Sequence, residues 1–164
     1  MPTELFPEPL YTLARAVLDE CRDAGLTLVT AESCTGGLLM GLLTEHPGAS
    51  DVVGYGYVTY ANAAKRELLD VPRELLKKYG AVSSEVTSRM AQGALMRSGS
   101  DIAVAISGIA GPSGGSDEKP VGLVYIATCR KRKVQCKQYL FQGSRTSIRL
   151  SAIHEALSMV SLLL

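Results

Sequence analysis

The chain has 164 residues, 46% hydrophobic and 20% charged, with a formal net charge of +1. That length suits one compact domain with a sizeable core, and the even charge gives no electrostatic ground for binding nucleic acid or an anionic membrane. The four cysteines, at 21, 34, 129 and 136, form no CxxC pair, and the only histidines are His46 and His154, so neither a structural metal site nor a bound metal is expected.

The opening stretch MPTELFPEPL carries two acidic side chains and three prolines, unlike a signal peptide, and no apolar run reaches membrane-spanning length. A reduced, cytoplasmic protein is expected. Leu10, Leu13, Ala14, Val17, Leu18 and Cys21 recur at helical spacing, with Gly25 as a stop. Leu26 to Ala31 then reads as a buried strand. Leu38, Leu39, Leu42 and Leu43 form a second apolar helical face, ended near His46-Pro47-Gly48.

The run VVGYGYVTY (53–60) is β-branched and aromatic, which predicts a strand with one face left bare by Gly54 and Gly56. Asn62 can cap a helix through about Leu69, and Pro72 can open another. Ser83 or Ser84 begins a further helix with Val86, Met90, Ala91, Ala94 and Leu95 facing inward. Ile102 to Ile106 is an unbroken apolar run, as in a central strand covered on both sides. After a long polar loop (107–122), Val121–Thr128 and Val134–Phe141 read as a hairpin with the basic run Arg130-Lys131-Arg132-Lys133 at its tip. Lys133, Gln135 and Lys137 alternate outward, as on an edge strand. The last helix, from about Ser144, places Ile148, Ala152, Ile153, Ala156, Leu157, Val160 and Leu164 on one face. Strand–helix alternation with one hairpin predicts a three-layer α/β/α sandwich with a mixed sheet, in one domain spanning 1–164.

Ligands bind at the C-terminal ends of strands in such sheets, which singles out three polar or glycine-rich segments. In TAESCTGG (30–37), Ser33 and Cys34 stand side by side before two glycines. Amides around Thr35, Gly36 and Gly37 can hold a phosphate or an oxyanion; equally, Ser33 or Thr35 can be a plain helix cap. Cys34 can stand in for Ser33 as nucleophile, because a helix N-terminus lowers a thiol pKa, or it can be a small buried side chain. In TYANAAK (59–65), with Asn62 as cap, Lys65 falls at the third helical position. The helix dipole and desolvation would both disfavour its charge there, leaving an amine able to act as general base. Tyr60 at the strand end can relay a proton or orient Ser33. The bland alternatives are a solvated lysine and a rim aromatic.

The loop SGIAGPSGGSDEKP (107–120) lacks both nucleotide-binding glycine fingerprints but can wrap a small ligand with backbone amides. Arg145, in FQGSR (141–145), can pair with a phosphate or carboxylate. A Ser-His-Asp triad built on His46 or His154 has little to support it, since one histidine sits in a turn and the other in mid-helix.

TAESCTGG, GYVTYANAAK, the GAVS at 80–83, SGIAGPSGGSDEKPVG and FQGSR, in that order, closely resemble the CinA C-terminal domain family, the nicotinamide mononucleotide deamidases. The resemblance runs from about Leu10 to the end. It implies a sandwich whose mixed sheet has five main strands, one of them antiparallel. It also implies hydrolysis of the carboxamide of nicotinamide mononucleotide to nicotinate mononucleotide and ammonia. Longer family members add an N-terminal molybdopterin-binding-like domain, and this chain looks like the stand-alone form. By resemblance, Ser33 is the nucleophile, Lys65 its base and Tyr60 their assistant, with no cofactor. Glu32, Thr35, Gly36, Gly37, Asn62, Gly111, Ser113, Gly114 and Arg145 are the expected substrate contacts. Two other readings fit the same residues: a serine–lysine hydrolase of another small amide or ester, and a non-catalytic ligand-binding or competence-related module. The apolar Ser161–Leu164 can belong to the core or to a homo-oligomer interface.

Overall fold

The structure, a computed structural model, describes residues 5–164. The first four residues of the stretch read as no signal peptide therefore lie outside the described residues. In chain order the elements are α1 (Glu8–Asp23), β1 (Leu28–Glu32), α2 (Leu38–Thr44), a short 3-10 helix (Ala49–Asp51), β2 (Tyr55–Val58), α3 (Asn62–Leu69), α4 (Arg73–Tyr79), α5 (Ser84–Ser98), β3 (Ile102–Gly108), β4 (Leu123–Arg130), β5 (Lys133–Leu140) and α6 (Arg145–Ser161).

The strands form one sheet in the order β2-β1-β3-β4-β5. β1 pairs in parallel with both β2 and β3, whereas β4 is antiparallel to β3 and to β5. One strand of the sheet, β4, therefore runs against the others, as the resemblance implied. Strand alternation divides the core in two. Leu28, Ile102, Val104, Ile106, Val124 and Ile126 face α1, α2 and α6. Val29, Ala31, Ala103, Ala105 and Ala127 face α3, α4 and α5. Small alanines line the second face and let α5 approach closely, while branched side chains fill the first. The result is the expected α/β/α sandwich. No helix among the described residues is long and apolar enough to cross a membrane.

Some boundaries differ from the sequence reading, each for a local reason. β2 covers only Tyr55–Val58, because Val53 turns into the core and Thr59 and Tyr60 turn toward Lys65. Gly56 does not leave its face bare: Met40 fills it, and a Cβ on Gly56 would lie 2.9 Å from Met40 Cγ. The N-cap of α3 is Ala61, with extended backbone, so Asn62 is the first helical residue and Lys65 the fourth. The hairpin tip is a two-residue turn, Lys131-Arg132, both with positive φ.

β1 sits where the chain reverses direction across the sheet. The link from β1 to β2 carries α2 on one face, and the link from β2 to β3 carries α3–α5 on the other. Loops after β1, β2 and β3 therefore part around one crevice at the strands' C-terminal ends. Gly93 fixes how closely α5 meets α3, since a Cβ there would lie 1.9 Å from the Leu69 carbonyl oxygen. A Gly93→Ala chain is expected to lose about 3 kcal/mol of stability by overpacking. Urea unfolding checks this, and a loss below about 1 kcal/mol would contradict so close an approach.

Candidate active site

Ser33 follows β1 by one residue, yet it stays on the sheet ladder: its N–H donates to the Ile106 carbonyl at 3.0 Å. Next door, the Thr59 N–H donates to the Glu32 carbonyl at 2.8 Å. These bonds continue both parallel pairings past the strands and hold Ser33 between the ends of β2 and β3. Alternation along β1 points Ser33 to the face of Val29 and Ala31, where α3 lies.

Lys65 meets it there. Its side chain is 1% exposed, and its Nζ donates to Ser33 Oγ at 3.1 Å, to the Thr59 carbonyl at 2.8 Å and to the Tyr60 carbonyl at 3.2 Å. Among the described residues no carboxylate pairs with this ammonium. Desolvation by burial lowers the Lys65 pKa from 10.5 to about 8, against a small opposing pull from Cys34. Three acceptors satisfy the ammonium. In the neutral amine, the two carbonyls take both N–H bonds, which leaves the lone pair for the Ser33 hydroxyl.

Glu32 points to the opposite face, and there the structure departs from the expected substrate contact. It is 1% exposed, and its carboxylate accepts from the N–H groups of Gly37 (3.1 Å), Leu39 (3.1 Å) and Met40 (2.9 Å). The N-terminus of α2 is thereby occupied by the protein's own anion. The Gly36 N–H is also engaged, with the Ser33 carbonyl at 3.1 Å. The amides of Gly36 and Gly37 are thus not open to an oxyanion. Both glycines have positive φ, 60° and 96°, the conformation that bends the chain between β1 and α2.

A cavity of about 260 Å³ opens beside Ser33. Of the expected site residues it is lined by Ser33, Tyr60, Lys65, Gly111, Ser113, Gly114 and Arg145. Thr35 is fully buried behind it, and Asn62 is exposed at the start of α3. Neither these two nor Glu32, Gly36 and Gly37 line the cavity. Tyr60 is 65% exposed, and it is its carbonyl, not its hydroxyl, that holds Lys65. Arg145 donates through Nη1 to the Gly111 carbonyl at 2.8 Å, tying α6 to the loop after β3. Lys119 anchors the same loop on the Tyr79 carbonyl at 2.6 Å.

Several contributors escaped the sequence reading. The wall from α4 to α5 supplies Ala81 and Val82, and Ser107 donates to the Ala81 carbonyl at 2.8 Å to hold it. Thr59 contributes only its backbone, which no sequence pattern announces. Arg149 binds the turn after Ser33, and its spacing of four from Arg145, one helical turn, was a usable signal. Cys34 lines the cavity, but burial pushes its thiol up to about 12, which makes it a poor nucleophile near neutrality. His46 lies in the turn after α2, packed against Tyr11 in a tilted pair with ring centroids 4.0 Å apart, and His154 is half-exposed on α6. The cavity lining includes neither. No group of three or more His, Cys, Asp or Glu side chains among the described residues is arranged to hold a metal ion.

The chain is 52% identical over 146 residues to a CinA-like protein of Geotalea uraniireducens, covering 89% of this chain and 35% of that protein. A CinA-like protein of Akkermansia muciniphila is 49% identical, covering 90% of this chain and 36% of that one. The chain thus spans about a third of the length of these curated relatives. Among solved structures, the competence/damage inducible protein CihA from Agrobacterium tumefaciens superimposes with a TM-score of 0.96 at 48% identity, over 98% of this chain and 99% of that one. The competence damage-inducible protein A (ComA) from Klebsiella pneumoniae gives 0.91 at 35% identity, over 93% and 95%. The CinA C-terminal domain profile matches residues 10–164, and the chain belongs to that family.

Proposed function

We propose that this chain hydrolyses the carboxamide of nicotinamide mononucleotide, with Ser33 as nucleophile and Lys65 as its base. The observation that carries the reading is the 3.1 Å contact between Ser33 Oγ and a fully buried Lys65 amine whose other two bonds go to carbonyls. A buried lysine without a carboxylate partner is costly for stability alone, and costly groups of this kind concentrate at functional sites. Among the residues lining the cavity, Lys65 and Arg145 are the charged ones, both basic, which suits a ligand carrying a phosphate. Its size suits a small molecule.

In this mechanism the neutral Lys65 removes the Ser33 proton while Oγ bonds to the carboxamide carbon. The cationic pyridinium ring withdraws electrons and makes that carbon more electrophilic. As the tetrahedral intermediate collapses, the C–N bond breaks and the Lys65 ammonium returns the proton to the departing ammonia. A water molecule then attacks the acyl-enzyme. Lys65 takes its proton and passes it back to Ser33 Oγ as the carboxylate leaves. Gly111, Ser113 and Gly114 supply backbone and hydroxyl donors on the far wall, and Arg145 supplies the cation for the phosphate.

Ammonia release from nicotinamide mononucleotide is expected to fall at least about 1,000-fold in Ser33→Ala and to persist in Cys34→Ala. Retention in Ser33→Ala would remove the serine mechanism. Binding without turnover in the wild type would favour a ligand-binding module, and turnover of other small amides alone would favour a different amidase.

The Lys65 pKa has two consequences for pH dependence. Because the base must be neutral, kcat is expected to rise as pH increases through about 8. Between about 8 and 10.5 the unfolded chain still binds a proton that the folded chain has released, so stability rises with pH across that window. The gain is roughly 3 kcal/mol at most. Urea titrations over this range should show that rise in the wild type and lose it in Lys65→Met; equal slopes would contradict the lowered pKa.

A further inference from the structure

A second serine, Ser107, lies beside Ser33. Glu32 and Ile106 are the last paired residues of β1 and β3, and the Ser33 N–H on the Ile106 carbonyl carries the parallel ladder one step further. That step sets Ser107 level with Ser33 on the neighbouring strand, about 4.8 Å away in a regular sheet. Alternation along β3 turns Ser107 to the face of Ala103 and Ala105, the face that Ser33 also uses. Both serines line the cavity. Lys65 reaches Ser33 from the side of β2, where the Thr59 and Tyr60 carbonyls hold it, so Ser33 stands between the amine and the second hydroxyl.

The Ser107 hydroxyl has one hydrogen, and a backbone carbonyl takes it. Oγ lies 2.8 Å from the Ala81 carbonyl oxygen, and of these two groups only the hydroxyl can donate. No group among the described residues donates to Oγ in return. Ser107 is 1% exposed, and what remains open of it lines the cavity. It therefore meets a ligand as an acceptor. A carboxamide placed for attack by Ser33 has two polar ends. Its oxygen is an acceptor and is repelled by the Ser107 lone pairs, whereas its NH2 carries two hydrogens that need acceptors. A carboxylate or an ester has no such hydrogen.

We propose that Ser107 is a specificity-determining residue: its Oγ accepts a hydrogen bond from the carboxamide NH2, which selects a primary amide over the matching ester and disfavours the carboxylate product. The proposal rests on the deamidase reading above, with Ser33 as nucleophile, and adds how the site tells amide from acid. Only one N–H is engaged by Ser107. The lone pair that the nitrogen gains in the tetrahedral intermediate stays free to take the Lys65 proton as the C–N bond breaks. Once ammonia has left, the hydrogen that Ser107 held is gone, and the carboxylate oxygen in its place faces lone pairs.

Calorimetric titration tests this in a Ser33→Ala parent, which binds without consuming its ligand, with and without Ser107→Ala. The ligands are nicotinamide mononucleotide, nicotinate mononucleotide and the methyl ester of the latter. Ser107→Ala is expected to weaken the amide about 10-fold or more and to leave the ester within about 3-fold, so that the amide-to-ester and amide-to-acid affinity ratios fall together. Ser107→Thr keeps the hydroxyl and should keep the ratios, and it separates loss of the acceptor from a change in the strand. If Ser107 serves only to hold the Ala81 carbonyl, all three ligands weaken alike; that result, or unchanged ratios, would overturn the proposal. Ammonia release by the chain with Ser33 intact separates the two readings. No release, with the Ser107-dependent ratios present, would sink the deamidase reading and leave the Ser107 contact standing. No binding of any of the three ligands to the parent would overturn both.

Discussion

The site depends on a lysine buried with no counter-ion among the described residues. Lys65 gives up its hydration and receives three neutral oxygens, from Ser33, Thr59 and Tyr60. Neutral acceptors stabilise an ammonium less than a carboxylate would, so the proton is held loosely. A carboxylate in the same place would hold Lys65 charged through the neutral range and remove its use as a base. The fold serves this arrangement by ending β1, β2 and β3 at one edge and setting α3 directly behind Ser33.

The turn that carries Ser33 is held by the sheet and by two elements packed on one of its faces, α2 and α6. Beneath it, Glu32 takes three amides of α2 and fixes where that helix begins. Beside it, Arg149 takes two carbonyls from a position 115 and 114 residues away along the chain. The ladder bond from Ser33 to Ile106 supplies a further fixed point. A short segment rich in glycine would otherwise have much backbone freedom to lose. With these bonds to Ile106, α2 and Arg149 in place, the bend presents the Ser33 hydroxyl in one orientation.

Much of this was legible in the sequence. The apolar periods located the helices and most strands, because one buried stripe per helix and two buried faces per central strand leave distinct patterns. Ser33, Lys65 and the glycine-rich loop were legible as candidates from their places after strands. Glu32 was expected as a substrate contact, but alternation along β1 turns it to the face of α2, whose amides take its carboxylate. The capping role of Asn62 went to Ala61, because the extended backbone at Ala61 starts the helix without any side-chain bond. The carbonyls of Thr59 and Tyr60 were invisible, since every residue has one and only tertiary structure chooses which are used. Arg149 required the seat of α6 beside the β1–α2 turn to be known before its partners could be named.

The central claim is that Lys65 loses its proton within reach of ordinary pH while it faces Ser33. The most direct test is a titration of the lysine side chains by NMR with 13Cε label, with the Lys65 signal identified by its absence in a folded Lys65→Met chain. A midpoint near 8 is expected, against 10.5 for an unperturbed lysine. A midpoint at the unperturbed value would contradict the account, because the amine would then be charged and unable to take the Ser33 proton.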